Sequence, residues 1–225
     1  MHIEPGLVEG TKIFLSYATA AGVVGYTAKL SLDAIKRDGL AALLLRAAIA
    51  TALVFCFFEV LPHQPVGVSE VHLILGTTLL LLFGVAPAAI GLAGGLLIQS
   101  LFFAPFDLPQ YGMNVTTLLV PLFASAAFAR RIIPEPTAYV DIGYAQAFKL
   151  SVVYQGGIVA WVGFWALYGQ GVGVDNLSSI ASFGAAYMAV VLIEPLIDLG
   201  VLAVAKLLHR LKGSMVVDKR LYSAA

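Results

Sequence analysis

Long apolar segments, each close to the span of about twenty residues that a transmembrane helix needs, dominate this sequence. Hydrophobic residues make up 60% of the 225 positions and charged residues only 12%. A soluble domain has no way to keep that much apolar surface from water. Inside a bilayer the backbone must satisfy its own hydrogen bonds, which leaves helices and closed barrels. Because the runs are long rather than short and alternating, they predict an all-α, polytopic transmembrane bundle.

Seven helices are predicted, within one domain that covers residues 1–225. They cover residues 11–31, 39–61, 71–84, 86–104, 113–130, 146–169 and 178–208. The third and fourth are short for a full span and are separated only by residues 83–87. It therefore stays open whether this pair spans the membrane fully, and it could form a tight hairpin or a re-entrant pair.

The basic residues predict the orientation of the bundle. All thirteen Lys and Arg residues except Lys12 fall in the segments after helices 1, 5 and 7 or in the helix ends beside them. By the positive-inside rule these segments are cytoplasmic. Seven helices then put the N-terminus outside and the C-terminus in the cytoplasm. We expect a multi-pass membrane protein in contact with the lipid bilayer.

Several classes of function lack their sequence signals. The formal net charge is zero, which gives no electrostatic attraction for nucleic acid. The sequence contains no P-loop, no dinucleotide-binding glycine pattern, no zinc-protease motif and no nucleophile elbow. We therefore expect a non-catalytic transporter subunit with no permanent cofactor, whose energy source lies on other chains.

The first residues form a potential chelator. The start of the chain does not resemble a secretory signal, so we expect Met1 to keep a free amine. That amine, the amide nitrogen of His2 and the His2 ring close a five-membered and a six-membered chelate ring on one metal ion. One more imidazole completes four nitrogens, a set that suits Ni(II), Cu(II) and Co(II). His72 is the favoured donor of that imidazole, and His63 is the alternative ligand.

Four short blocks resemble the cobalt/nickel substrate-binding membrane components of energy-coupling-factor (ECF) transporters, the CbiM/NikM family. They are Met1-His2-Ile3 followed by Gly6, Val71-His72-Leu73 followed by Gly76, Gln99-Ser100-Leu101-Phe102-Phe103, and Gly112-Met113-Asn114-Val115. The blocks stand in the family's order and spacing over about the first 125 residues.

The resemblance implies a function and a site. Met1, His2 and His72 match the family's metal ligands, and Co(II) or Ni(II) would be the transported ligand. Gln99 and Asn114 match polar residues that we place behind the ligands as site-supporting residues, although both are equally well explained as hydrogen-bonding residues between helices. The implied partners are a transmembrane coupling subunit, two cytoplasmic ATPase subunits and, as an open alternative, a small accessory membrane subunit.

The chain departs from the family pattern near the site. Glu4-Pro5-Gly6 replaces Pro-Asp-Gly, and Glu70 stands where the family commonly has Ser. A carboxylate at position 70 can orient an imidazole N–H or attract a cation, but the simpler interpretation is a solvated charge at a loop end.

Two acidic residues inside the last helix, Glu194 and Asp198, have two interpretations: they line an ion pathway, or they contact a partner subunit near the cytoplasm. We favour the partner contact. The small residues of helix 1, Ala18, Ala21, Gly22 and Gly25, suit docking on the coupling subunit or close internal packing. The alternative function is a secondary transporter or channel that works without ATPases and conducts a small molecule past Glu194 and Asp198.

Overall fold

The computed structural model describes residues 3–135 and 137–223, and all structural statements below concern these residues. Their elements are α1 (Phe14–Asp38), α2 (Leu40–Glu59), β1 (Gln64–Val66), β2 (Ser69–Val71), α3 (Gly76–Phe83), α4 (Val85–Phe102), α5 (Tyr111–Ile132), α6 (Tyr144–Gln170) and α7 (Val174–Leu207). Within the described ranges the fold is thus all-α with seven α-helices, as predicted. Among the described residues, five helical stretches are long and apolar enough to cross a membrane. Four of them are α2, α4, α6 and α7, and the fifth is α5 together with the helical turn before it (Pro105–Ile132).

The two remaining helices differ from a regular span for different reasons. The 25 residues of α1 give it sufficient length, but polar side chains such as Ser16, Thr19 and Thr27 interrupt its apolar sequence. Their hydroxyls are satisfied by carbonyls of the preceding turn, as in the bond from Thr27 Oγ1 to Val23 O (2.7 Å). The other helix, α3, has only eight residues.

The prediction of a helix over residues 71–84 is wrong for its first five residues. Val71 ends the strand β2, residues 72–75 are extended or irregular, and Leu75 adopts the left-handed region at φ 55° before α3 begins at Gly76. Hydropathy does not distinguish an apolar extended segment from an apolar helix. The chain therefore crosses this part of the bundle as an extended segment followed by a half-helix, which is permitted at membrane depth because protein surrounds it.

Close packing of small residues joins α2 to α4. A Cβ atom on Gly91 would lie 2.5 Å from the Ala50 Cβ, and one on Gly95 would lie 2.5 Å from Val54 Cγ1. These contacts allow the backbones to approach as they do at small-residue interfaces between membrane helices. The main core, around Trp165 and Tyr154, then fills the space between α3, α5, α6 and α7.

The basic residues other than Lys12 lie at one end of the bundle, and His63 and His72 lie at the other. The inner end contains a network in which Arg46 Nη1 lies 3.0 Å and Lys219 Nζ 2.9 Å from the Asp38 carboxylate, while Arg37 bonds to both Asp38 and Asp218. The outer end contains the N-terminal segment (residues 3–13), the β1–β2 hairpin and the loops 103–110 and 171–173. This separation agrees with the pattern that predicts the cytoplasmic side.

Lys12, the exception to the charge pattern, has a local explanation. Its Nζ donates to the carbonyls of Tyr168 and Gly169 at 3.0 Å each, at the outer C-terminus of α6. The last carbonyls of a helix lack intrahelical donors and carry the negative end of the helix dipole. Lys12 therefore stabilises a helix end.

Candidate metal centre

The N-terminal segment is held inside the outer end of the bundle. Ile3 is fully buried, and its backbone N–H donates to Asn114 Oδ1 at 2.9 Å. Ile3 also pairs with Ser69 as an antiparallel bridge, and Glu4 N donates to Val68 O at 3.2 Å. The start of the chain thus extends the β1–β2 hairpin by a third strand-like segment.

A tight hairpin loop sets the register of this arrangement. Val66 pairs with Ser69, so that only Gly67 and Val68 form the loop. Gly67 has φ +62°, and a Cβ there would lie 2.1 Å from the carbonyl oxygen of Ser179 in α7. Glycine therefore serves both the backbone conformation and the close approach to α7.

The imidazole of His72 is buried directly after β2. Its Nε2 lies 2.9 Å from Glu70 Oε2, and the His72 side chain is fully buried while Glu70 is partly exposed. A neutral ring that donates its Nε2 proton to a carboxylate carries its lone pair on Nδ1. This pairing of carboxylate and imidazole is the one that commonly fixes the tautomer of a histidine ligand in metalloproteins.

Two aromatic rings fix the plane of the His72 ring. The exposed imidazole of His63 stacks on it with ring centres 4.8 Å apart and planes 7° apart, and Phe58 packs at 5.4 Å. His63, the alternative ligand, is therefore brought beside His72, where it covers a ring face.

The site-supporting residues come from two further helices. Asn114, in the first turn of α5, is fully buried and accepts the Ile3 N–H, while its Nδ2 has no partner among the described residues. Gln99 is buried near the outer end of α4. Asn114 thus lies against the N-terminal segment, where it holds the backbone of Ile3, a residue 111 positions away in sequence.

Carboxylates give the outer end an excess of negative charge. Glu4, Glu70 and Asp107 are close enough for their charges to interact. Partial burial, followed by the charges of Glu70 and Asp107, raises the pKa of the Glu4 carboxyl. Such a concentration of acidic groups attracts cations.

The family follows from a match over most of the chain. The sequence model for CbiM, described as the cobalt uptake substrate-specific transmembrane region, matches residues 2–212. This chain belongs to the CbiM family. No curated protein matches it.

Solved structures share the CbiM fold seen here. One, described as a truncated transition metal transporter, has a TM-score of 0.68 at 20% identity and covers 93% of this chain and 99% of its own. A second, described as a transition metal transporter, has a TM-score of 0.69 at 18% identity, with 93% and 94% covered. The chain is therefore a multi-pass membrane protein of a cobalt uptake family, and cobalt is the family's transported substrate.

Two of the predicted CbiM ligands, Met1 and His2, lie outside the described residues. Of the remaining predicted site residues, the structure brings His63, Glu70, His72 and Asn114 to the outer end beside Ile3. The contribution of the hairpin backbone at Val68 and Ser69 was not predicted. Gly67, in a short stretch between two predicted helices, is the sequence signal that could have indicated this hairpin turn.

The preferred interpretation of Glu194 and Asp198 as a contact for a partner subunit is wrong. Both side chains are fully buried inside the chain. Glu194 accepts hydrogen bonds from Ser151 and Gln155 of α6, and Asp198 accepts them from Thr77 and Thr78 of α3. Since a buried group has no surface to offer a partner, these acids belong to the interior of the bundle.

Proposed function

We propose that this CbiM-family protein is the substrate-capture component of an ECF-type importer for Co(II), with Ni(II) as the alternative ion. It takes the ion from the outer side of the membrane. The amine of Met1, the amide and ring nitrogens of His2 and the ring of His72 are the proposed ligands. Four nitrogens of this kind favour ions of the late first transition row over Mg(II) or Ca(II).

The anchoring of Ile3 is the observation that supports this site best. Ile3 is buried between Asn114 and the hairpin strand that leads into His72. Two residues of chain span at most about 7 Å, so the covalent chain keeps the amine of Met1 close to this anchor. This covalent limit supports the proposal that the chelating start of the chain and the buried His72 imidazole form one site.

The surroundings of His72 suit a histidine ligand. Glu70 accepts its Nε2 proton and so assigns the lone pair to Nδ1. Asn114 holds the N-terminal backbone, and Gln99 is a second candidate for a supporting role from α4. The acidic groups Glu4 and Asp107 increase the local concentration of cations.

The partnership with an ECF module is part of the proposal. The sequence lacks a nucleotide-binding motif, so the energy would come from two ATPase subunits through a transmembrane coupling subunit. The small residues of α1 support docking on the coupling subunit. Gly22 and Gly25 are exposed on the outside of the bundle, and a Cβ atom added at either residue would have no other atom within 4 Å. A bacterial plasma membrane is the proposed location.

Metal binding by N-terminal variants tests the site. We expect His2→Ala to abolish high-affinity Co(II) binding, and we expect the same from one alanine added ahead of Met1, since the addition moves the amine out of the chelate ring. His209→Ala, which changes a histidine in the segment after α7, serves as the control. It should keep the affinity for Co(II) within about threefold, because the variant retains every proposed ligand and its change lies at the other end of the bundle. Undiminished binding in both N-terminal variants would exclude the proposed site.

Transport assays distinguish this function from the alternative of a secondary transporter. Reconstituted alone, the chain should bind Co(II) without accumulating it, and uptake should require the coupling and ATPase subunits with ATP. Uptake by the chain alone, driven only by an ion gradient, would favour the alternative.

A further inference from the structure

Two carboxyl groups lie in the interior of the bundle, well away from the metal centre proposed above. Glu194 and Asp198 are four residues apart on α7 and thus on the same helix face. Both are fully buried, and they face α6 and the first turn of α3. Acidic groups at membrane depth are costly and usually mark a site.

The hydrogen-bond donors to these acids are all neutral. Ser151 Oγ and Gln155 Nε2 donate to Glu194 Oε2 at 2.6 and 2.8 Å. Thr77 Oγ1 donates to Asp198 Oδ2 at 2.8 Å, and Thr78 donates to the other oxygen. Among the described residues no Lys, Arg or His forms an ion pair with either acid. In the part of the chain that the structure describes, these two acids are therefore not balanced by an ion-paired cation.

Several oxygens in the same cluster have no hydrogen-bond partner among the described residues. They are Glu194 Oε1, Gln155 Oε1 and the hydroxyls of Tyr154 and Tyr187, all on fully buried side chains. Tyr154 packs against the start of α3, where its hydroxyl would lie 2.5 Å from a Cβ built on Gly76. Buried polar atoms without partners are uncommon, and a bound ion is one recognised reason for them.

The extended segment 72–75 connects this cluster to the outer end. It begins at His72, the candidate ligand, and ends one residue before Gly76 and two before Thr77, whose hydroxyl bonds to Asp198. At about 3.3 Å per residue, five residues separate the two places by at most about 17 Å. Irregular backbone at membrane depth is tolerated where protein surrounds it or where it lines a cavity, and in transporters it commonly lies beside ion sites.

We propose that Glu194 and Asp198, with Gln155 Oε1 and neighbouring hydroxyl oxygens, form a second, oxygen-donor site that a divalent cation occupies on its way inward. The role in transit rests on the proposed function of the outer site. Two carboxylates balance the charge of one divalent ion. Oxygen ligands suit Mn(II) particularly well, whereas the outer nitrogen set favours Co(II) and Ni(II). The two sites therefore differ in the ion they prefer.

Mn(II) titration of the purified full chain in lipid nanodiscs tests the inner site separately. Electron paramagnetic resonance reports the unbound Mn(II). We expect about one Mn(II) bound per chain in the unaltered protein and in His2→Ala, and loss of that binding in Glu194→Gln/Asp198→Asn. The control is Asp33→Asn/Glu135→Gln, which removes two exposed carboxylates and should leave Mn(II) binding intact.

Each result has a defined meaning. Mn(II) binding that is unchanged in Glu194→Gln/Asp198→Asn, or absent from the unaltered protein, would overturn the inner site and leave water or protons as its occupants. Co(II) binding of undiminished affinity in His2→Ala that depends on Glu194 and Asp198 would instead contradict the outer site. The two proposals therefore fail in distinguishable ways.

Thermal unfolding shows whether a loss of Mn(II) binding in the double variant comes from a folding defect. Because the double variant replaces two acids by neutral groups of the same shape, it should unfold at a temperature equal to or above that of the metal-free unaltered protein. Added Mn(II) should raise the unfolding temperature of the unaltered protein but not that of the variant. An equal Mn(II)-dependent rise in both would contradict the site.

Discussion

The two ends of the bundle use polar residues in opposite ways. At the inner end, Arg46 and Asp38 are buried as partners, so that charges compensate one another within the chain. At the outer end, carboxylates and imidazoles gather around a backbone anchor at Ile3, and negative charge stays in excess. The paired charges at the inner end stabilise the fold, whereas the unbalanced negative charge at the outer end is suited to bind a cation. Substitutions at the inner end should therefore change stability, and those at the outer end should change binding.

Of the substitutions that distinguish the two ends, Arg46→Met is expected to have the largest effect, a loss in the free energy of unfolding. It leaves the buried carboxylate of Asp38 without its closest buried partner and removes the bond from Arg46 Nε to Met215 O. Breaking a buried ion pair costs about 3 kcal/mol or more in the free energy of unfolding. Unfolding in mixed micelles measures the loss, and the affinity of the folded protein for Co(II) should not change.

Arg131→Met is the matched control for this variant. It makes the same chemical change at an exposed arginine near the inner end of α5. The free energy of unfolding should change by less than about 0.5 kcal/mol. Equal losses in both variants would show that the buried network has no special role in stability.

A smaller effect, of the opposite kind, is expected from Asn114→Ala at the outer end. The substitution removes the oxygen that accepts the Ile3 N–H. Residues that hold metal ligands in position typically contribute 10–100-fold to affinity, so we expect Co(II) binding to weaken by about that factor. Calorimetric titration measures it.

Thr117→Val is a suitable comparison for Asn114→Ala. It alters a buried polar side chain one turn further along α5, whose hydroxyl bonds only within its own helix, to Met113 O. Co(II) affinity should be unchanged in this variant. If both variants weakened binding alike, general disturbance of α5 would replace the specific role of Asn114.

The sequence predicted most of the fold because membrane helices obey strong local rules. Long apolar runs predicted the positions of α2, α4, α5, α6 and α7. The basic residues predicted which helix ends lie on the same side of the membrane. The third helix was only partly predictable. Its first residues are as apolar as a helix, yet Val71 belongs to the β1–β2 hairpin, which also pairs with Ile3 at Ser69, and residues 72–75 follow without helical structure. These contacts join distant parts of the chain and leave no periodic signal.

The same limit applies to polar residues. The position of His72 at the outer end followed from its place at the start of the predicted third helix and from the charge pattern. The resemblance implied that Asn114 holds the N-terminal loop or the ligands, but no local pattern gives its contact with Ile3, because that contact joins residues 3 and 114. Glu194 and Asp198 were misinterpreted because their partners, Thr77 and Ser151, are on other helices. Sequence showed that these acids are unusual, and only the packing of α3, α6 and α7 showed where they lie.

X-ray absorption at the cobalt edge tests the central claim most directly. One equivalent of Co(II), added to the purified full chain, should occupy the tighter outer site. We predict a first shell made of nitrogen, with the outer-shell scattering of imidazole rings, and a decrease in that scattering in His72→Ala, which keeps only the ring of His2. A first shell dominated by oxygen, unchanged by His72→Ala, would contradict the account.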